Sequence, residues 1–578
     1  MNPALARAVC ASGLIAGTLL LGATAAGRPQ VSDSLEDRRP PERLDDPWLP
    51  RDPVLRSAPG TQVLQGQFLS IQVNIDAGGL NIIGDAANEP SIGVDPTAPN
   101  RIVIGWRQFD TIASNFRQAG WGYSHDGGRT WTFPGVLEPG IFRSDPVVDA
   151  DDQGRFYYLS LHTNLAEVWE CRMFISQDGG LSWGEGNFAF GGDKAWFAFD
   201  RSGGIGHGNL YQAWNTGGNV YFPNQFNRSI DGGLNWSQPI EMPLHPVFGT
   251  VAVGPAGRVF VAGSGSGAIR IVRSSNAQDP DVTPTFDLAL SIDLGGTFVG
   301  GQGPNPAGLL GQVWVAIDRS GGPMDGNVYM LSSVNPPGTD PLDVGFARSE
   351  DDGKTWSGPV RVNDDAPSPN AWQWFGTMSV APTGRIDVIF NDTRNSQQAN
   401  ISELFYTAST DGGRTWSKNI ALSPPFDSWV GWPNQNKIGD YYDMVSDAVG
   451  AHLAWAATFN GEQDVYYLRI GDYDCNSNGI PDNDDLESGD SGDCNDNGIP
   501  DECEIAAGTV KDDNRDGIPD ECVVIGDLDG DGSVGASDLL ILLVSWGPCD
   551  DCNDCPADFD GNCTVGASDL LILLANWG

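Results

Sequence analysis

The chain is 578 residues long, more than one hydrophobic core serves, so two or more domains are expected. It holds 75 Gly, 39 Pro and 19 Trp at a net charge of −44. Such a composition, with little sustained helical periodicity, points to all-β structure with many turns and disfavours nucleic acid and anionic membranes as partners.

At the N-terminus, Arg7 precedes an apolar run over 11–21, and Ala23-Thr24-Ala25 offers a small-residue cleavage site. Residues 1–25 therefore read as a secretory signal, because the run is too short to span a bilayer. No other stretch is long and apolar enough for a span, and a secreted or cell-surface location is expected. Residues 26–64, rich in Pro, Arg and Asp, read as a leader or linker.

An octapeptide then recurs five times: Ser124-His-Asp-Gly-Gly-Arg-Thr-Trp131, Ser176-Gln-Asp-Gly-Gly-Leu-Ser-Trp183, Ser229-Ile-Asp-Gly-Gly-Leu-Asn-Trp236, Ser349-Glu-Asp-Asp-Gly-Lys-Thr-Trp356 and Ser409-Thr-Asp-Gly-Gly-Arg-Thr-Trp416. The Asp can accept backbone N–H bonds within a tight turn, and the Gly can take φ > 0 there. Flanking apolar stretches make each copy a hairpin connection, and the Trp is large enough to pack between sheets. The intervals are 52, 53, 120 and 60 residues. The long interval predicts a degenerate copy at 274–286, with Phe286 in the Trp place. Paired apolar strands before the boxes, from Ser91 to Ala456, count seven units. The seventh ends in a third strand near 464–469, and its fourth is expected from 68–73, closing a ring with both ends of the domain. Seven blades of four strands are expected over 65–470, with six as the alternative.

These octapeptides are Asp boxes, and the region resembles the sialidase superfamily of β-propellers. The resemblance implies a set of parts: three Arg for a substrate carboxylate, a Tyr nucleophile helped by a Glu, and an Asp acid/base. The nearest match to the family's Arg-Ile-Pro motif is Phe142-Arg143-Ser-Asp-Pro146, which follows the first box instead of preceding it. Position along the inner strands nominates Glu89, Arg107, Asp145, Arg394, Asp440 and Tyr441 as catalytic candidates, with Asp193, Lys194 and Asp392 near them. The competing reading makes these residues ion pairs and turn caps that close the ring. The five His show no metal-ligand spacing, and the 263–267 Gly/Ser run reads as a loop.

The last 108 residues hold 27 Asp or Glu against Lys511 and Arg515, and eight of the ten Cys. Oxygen-bearing residues recur in loops that suit a hard cation such as Ca²⁺. Residues 471–523 carry Asp474, Asn476, Asn478 and Asp482; Asp493, Asn495, Asn497 and Asp501; then Asp512, Asn514, Asp516 and Asp520, at a period of 19. They resemble thrombospondin type 3 calcium repeats, which implies a calcium-stiffened stalk. Residues 524–578 carry two further loops, Asp527, Asp529, Asp531, Ser533 and Asp538, then Asp558, Asp560, Asn562, Thr564 and Asp569, each followed by a short apolar helix. This pair resembles a type I dockerin, implying a cohesin-like or envelope partner. In the second loop Cys563 stands where Gly is usual, and a disulfide there is plausible. Cys552-Asn-Asp-Cys555 leaves zinc as an alternative, and the disulfide pairing is open.

The expected protein is thus an exported sialidase-like propeller that acts on or binds extracellular glycans, attached through a calcium-dependent tail. A non-catalytic propeller recognising protein or glycan at the cell envelope is the alternative.

Overall fold

The computed structural model describes residues 46–48, 58–163, 168–215, 220–495, 497–512, 515, 517–522, 524–529, 533–549, 551–552 and 555–578. The expected export signal, most of the leader, and the candidate ligands Asn514, Asp516 and Asp531 lie outside the described residues.

Seven antiparallel sheets follow one another along the chain. Their inner strands are Ala86–Val94, Ser144–Ala150, Asp193–Phe199, Val251–Val253, Trp314–Ile317, Gln373–Val380 and Asp443–Ser446. The fold is a seven-bladed propeller. Blade 7 closes the ring: after Asp464–Gly471 its next strand is Phe68–Gln72, with Ser70 opposite Leu468 and Ile71 opposite Tyr467. Gln62–Gln65 then pairs with Phe68–Gln72 as a fifth strand. This closure covers a sheet edge that would otherwise template aggregation.

The core lies between blades, where apolar faces of neighbouring sheets interdigitate. Trp106, Trp214, Trp374 and Trp455 are fully buried there. In the first box, Asp126 Oδ1 accepts the Ser124 hydroxyl (2.7 Å) and the Thr130 N–H (2.9 Å), while Ser124 Oγ accepts the Gly128 N–H (2.8 Å). The degenerate copy keeps this bonding with Asn for Asp: Asn276 Oδ1 accepts from Ser274 Oγ (3.1 Å) and from the Thr285 N–H (2.8 Å). Each turn also touches its neighbour, as where Tyr467 donates to the Gly127 carbonyl at 3.0 Å.

Two additions matter for the site. A hairpin, Gly300–Gln302 with Asn305–Leu309, is inserted between blades 4 and 5. Among its described residues the C-terminal region adds four short α-helices, Asp482–Ser488, Asp501–Ala507, Ala536–Val544 and Ala567–Ala575. Disulfides Cys475–Cys503 and Cys494–Cys522 link successive repeats, and Cys549–Cys555 and Cys552–Cys563 staple the last loops. Cys552 and Cys555 thus sit in different disulfides and leave no thiolates for zinc. The first repeats rest on blade 1, where Arg129 stacks on Tyr473 (4.0 Å) and Arg101 Nε donates to the Ala507 carbonyl (3.2 Å). No helix among the described residues is long and apolar enough to cross a membrane.

Candidate functional site

The inner strands share a local device at their starts. Glu89, Asp145, Lys194, Phe248 and Phe375 all have φ between 45° and 58°. In four of these blades the register of the inner strand shifts at the same place. A bulge with a left-handed residue re-aims one side chain, at a cost of about 1–3 kcal/mol per non-glycine residue. Here it turns Glu89, Asp145 and Lys194 from three successive blades toward the axis.

The result is a buried ionic cluster. Lys194 Nζ lies 2.8 Å from Asp145 Oδ1, 2.8 Å from Asp440 Oδ2 and 3.5 Å from Glu89 Oε1. Lys437 Nζ lies 2.7 Å from Asp440 Oδ2 and 3.6 Å from Glu89 Oε1. Arg107 Nε lies 3.2 Å from Glu89 Oε2. All these residues are at most 5% exposed. Burial pushes the Glu89 carboxyl up to about 8, against the pull of Arg107 and Lys194. Burial also brings the Lys437 ammonium down to about 8. Burial works to raise Asp145 and Asp440 too, but Lys194 overrides it and both sit well below the usual carboxylate range.

The inserted hairpin seals this cluster. Asn305 Nδ2 donates to the Gly439 carbonyl (2.8 Å), Asn305 Oδ1 accepts the Ile438 N–H (3.0 Å), and the Leu309 N–H donates to Asp440 Oδ1 (2.7 Å). Beneath it, the Tyr441 hydroxyl donates to the Pro146 carbonyl at 2.7 Å, and its ring packs edge-on against Trp196. Burial holds the Tyr441 phenol well above its ordinary range.

Five of the six catalytic candidates therefore meet: Glu89, Arg107, Asp145, Asp440 and Tyr441. Arg394 stands apart, paired with Asp392 (2.7 Å) and Asp364 (2.5 Å) and stacked on Phe405. Arg143 pairs with Glu138 and lies over Phe174. Sequence reasoning missed Lys437 and the buried Arg117, which stacks on Phe142 at 4.6 Å. Both come from loops that carry no repeat signal. Chemically, the cluster holds paired carboxylates and cations that are almost wholly buried.

The tail holds a second set of candidates. Asp527, Asp529 and Asp538 bring carboxylate oxygens within 4.8 Å of one another, and so do Asp558, Asp560 and Asp569. Asp538 and Asp569 also anchor their helices, accepting the Gly535 and Gly566 N–H groups at 2.7 and 2.8 Å. In the repeats that follow the propeller, Asp474 accepts the Asn478 and Gly479 N–H groups, both at 3.0 Å, and Asp493 accepts those of Asn497 (3.0 Å) and Gly498 (2.8 Å). Each of these two loops also gathers an acid that the sequence reading passed over. Asp485 Oδ2 receives Asn476 and Asn478 amides (3.1 and 2.7 Å), and Glu504 receives those of Asn495 and Asn497 (3.0 and 2.7 Å). Both stand eleven residues after the opening Asp, the twelfth position of an EF-hand-type loop. That spacing was the signal available. Burial raises Asp474 and Asp482, and nearby carboxylates add to it. Asp482 Oδ2 and Asp485 Oδ1 are buried without a hydrogen-bond donor. Crowded carboxylates with orphaned oxygens fit a hard cation.

No protein-family model and no curated protein matches the chain. Among solved structures, it is similar to a protein of unknown function from Dyadobacter fermentans, at 13% identity and TM-score 0.39, covering 70% of this chain and 100% of that one. A Hadza microbial sialidase matches at 13% identity and TM-score 0.37, over 67% of this chain and 66% of that one. A mutant of the NanB sialidase from Streptococcus pneumoniae matches at 12% and 0.35, over 72% and 71%. Likenesses this distant carry no argument about activity, and the propeller assignment rests on the seven sheets themselves.

Proposed function

We propose that the protein is an exported recognition propeller that binds extracellular glycan without cleaving it, and that a calcium-loaded tail attaches it to a partner. The observation that carries the non-catalytic reading is the enclosure of the Glu89–Lys194–Asp440 cluster. A glycosidase must bring its acid and its nucleophile to the substrate, yet here Tyr441 is bonded to a backbone carbonyl and the carboxylates face lysines under a hairpin. The glycan reading rests on the Asp-box resemblance. Trp429, 44% exposed beside Trp432 in the segment that bonds the hairpin through Ser428, offers a flat face for a sugar ring.

In the tail, calcium would be held by Asp474, Asn476, Asn478 and Asp485, by Asp493, Asn495, Asn497 and Glu504, and by the two loops before the last helices. The cation would neutralise carboxylates that otherwise repel one another and so stiffen the repeats. Leu540, Leu543, Val544, Leu571, Leu574 and Trp577 are exposed on or just after the twin helices, an apolar surface suited to a protein partner.

The purified full chain, with calcium, should be assayed on a fluorogenic sialoside and on a glycan array. No turnover with glycan binding weakened by Trp429→Ala supports the proposal. Turnover abolished by Tyr441→Phe would overturn its non-catalytic half.

A further inference from the structure

The inner strands are layered every two residues, and the layers differ in character along the axis. Glu89, Asp145 and Lys194 begin the first layer. The second includes Trp196 and Trp314, whose rings meet edge-on at 5.3 Å and close the axis. The third consists of Gly93, Asp149, Ala198, Ala252, Ala316, Ser379 and Val445, so five of its seven side chains are Ser or smaller. Small residues above a tryptophan floor leave a cavity of about 570 Å³ at the end of the axis where the inner strands finish, away from the ionic cluster. Its volume falls in the range of small-molecule sites, roughly 300–1,000 Å³.

Two blades build this cavity with one repeated sequence. Trp196-Phe-Ala198-Phe-Asp200-Arg201-Ser-Gly-Gly204 recurs as Trp314-Val-Ala316-Ile-Asp318-Arg319-Ser-Gly-Gly322. Each copy supplies a floor Trp, an Ala that leaves space above it, and an Arg at the mouth. In both, the Asp fixes the turn by accepting the N–H of the following Ser at 2.9 Å. The two arginines then differ. Arg201 Nη2 reaches Asp149 in the preceding blade at 2.8 Å. In the blade preceding Arg319, the place of Asp149 is taken by Ala252. Arg319 lines the cavity and makes no hydrogen bond or ion pair among the described residues.

We propose that this axial cavity binds a small aromatic carboxylate, its carboxylate paired with the Arg319 guanidinium and its flat body seated against the Trp196–Trp314 pair. Arg319 supplies a donor fork matched to a carboxylate. The largely aliphatic and aromatic walls select a flat apolar body; of the two carboxylates in the lining, Asp149 is paired with Arg201 and Asp443 is bonded by the Ser91 hydroxyl (2.6 Å) and the Ile92 N–H (3.2 Å).

Isothermal titration calorimetry on the full chain with calcium tests this, using 2-naphthoate and its neutral isostere 2-naphthamide. One site per chain is expected for 2-naphthoate, with 2-naphthamide at least tenfold weaker. Arg319→Ala should lower 2-naphthoate affinity about tenfold and leave 2-naphthamide within twofold, while Arg319→Lys restores part of the loss. Ala316→Phe should fill the cavity and abolish both. If Ala316→Phe does not fold, the two Arg319 variants decide alone. Equal affinity for the two ligands, 2-naphthoate binding indifferent to Arg319→Ala, or no heat from either ligand up to millimolar concentration overturns the proposal.

Discussion

The Lys194 ammonium lies 2.8 Å from the Asp440 carboxylate, joining blade 3 to the entry of blade 7 across the axis of the ring. Blades otherwise touch mainly their sequential neighbours, so this pair ties together parts of the ring that share no sheet contact, while its companion to Asp145 joins two adjacent blades.

Removing the ammonium should therefore destabilise the propeller more than it alters any surface property. Lys194→Met leaves Asp145 and Asp440 buried with one cation fewer, a loss expected to be about 3–5 kcal/mol. Urea unfolding followed by tryptophan fluorescence reads it. A change below about 1 kcal/mol would mean the cluster is hydrated, not sealed.

The cluster also predicts a pH dependence. The folded-state pKa of Glu89 is raised from 4.5 to about 8, so the unfolded chain loses this proton first. Stability is then full below about 4.5 and falls as pH rises toward 8, at no more than about 1.4 kcal/mol per pH unit for one proton. Glu89→Gln removes that proton and should flatten the decline between pH 5 and 8 relative to the wild type. Parallel slopes for the two proteins in thermal melts would refute the protonated Glu89.

Each Asp box contributes through one side chain. Asp411 accepts the Ser409 hydroxyl, the Thr415 N–H and the Thr415 hydroxyl at 2.9, 2.9 and 2.6 Å. Asp411→Ala strands these donors in a turn partly open to water and should cost about 1–2 kcal/mol. Asn276→Asp, which restores the usual residue in the degenerate copy, should be neutral or slightly stabilising. Thermal denaturation of the two variants side by side checks both.

In the tail, Glu504→Gln and Asp485→Asn should each remove about one bound calcium per chain in an equilibrium titration. Chelation of the wild type should lower the melting of the tail and barely move that of the propeller, resolved by calorimetry as separate transitions. Full stoichiometry in both variants would dismiss the twelfth-position acids as ligands.

Much of the architecture was legible because it repeats. An Asp that caps its own turn needs only its neighbours in sequence, so the boxes and the blade count of seven could be read locally, and even the degenerate copy kept the Ser274, Asn276 and Thr285 bonds. The acidic loops of the tail are local as well, and Asp485 and Glu504 were within reach of a spacing rule. The site was not local. Glu89, Asp145, Lys194 and Asp440 come from four blades, Lys437 and Arg117 come from loops without a motif, and the covering hairpin around Asn305 is an insertion. Whether a charged residue at a strand start meets substrate or a lysine depends on what closes over it. That is a property of packing across hundreds of residues, so the sequence by itself determined a propeller with acidic loops, and the tertiary structure alone decided that its axial charges face one another.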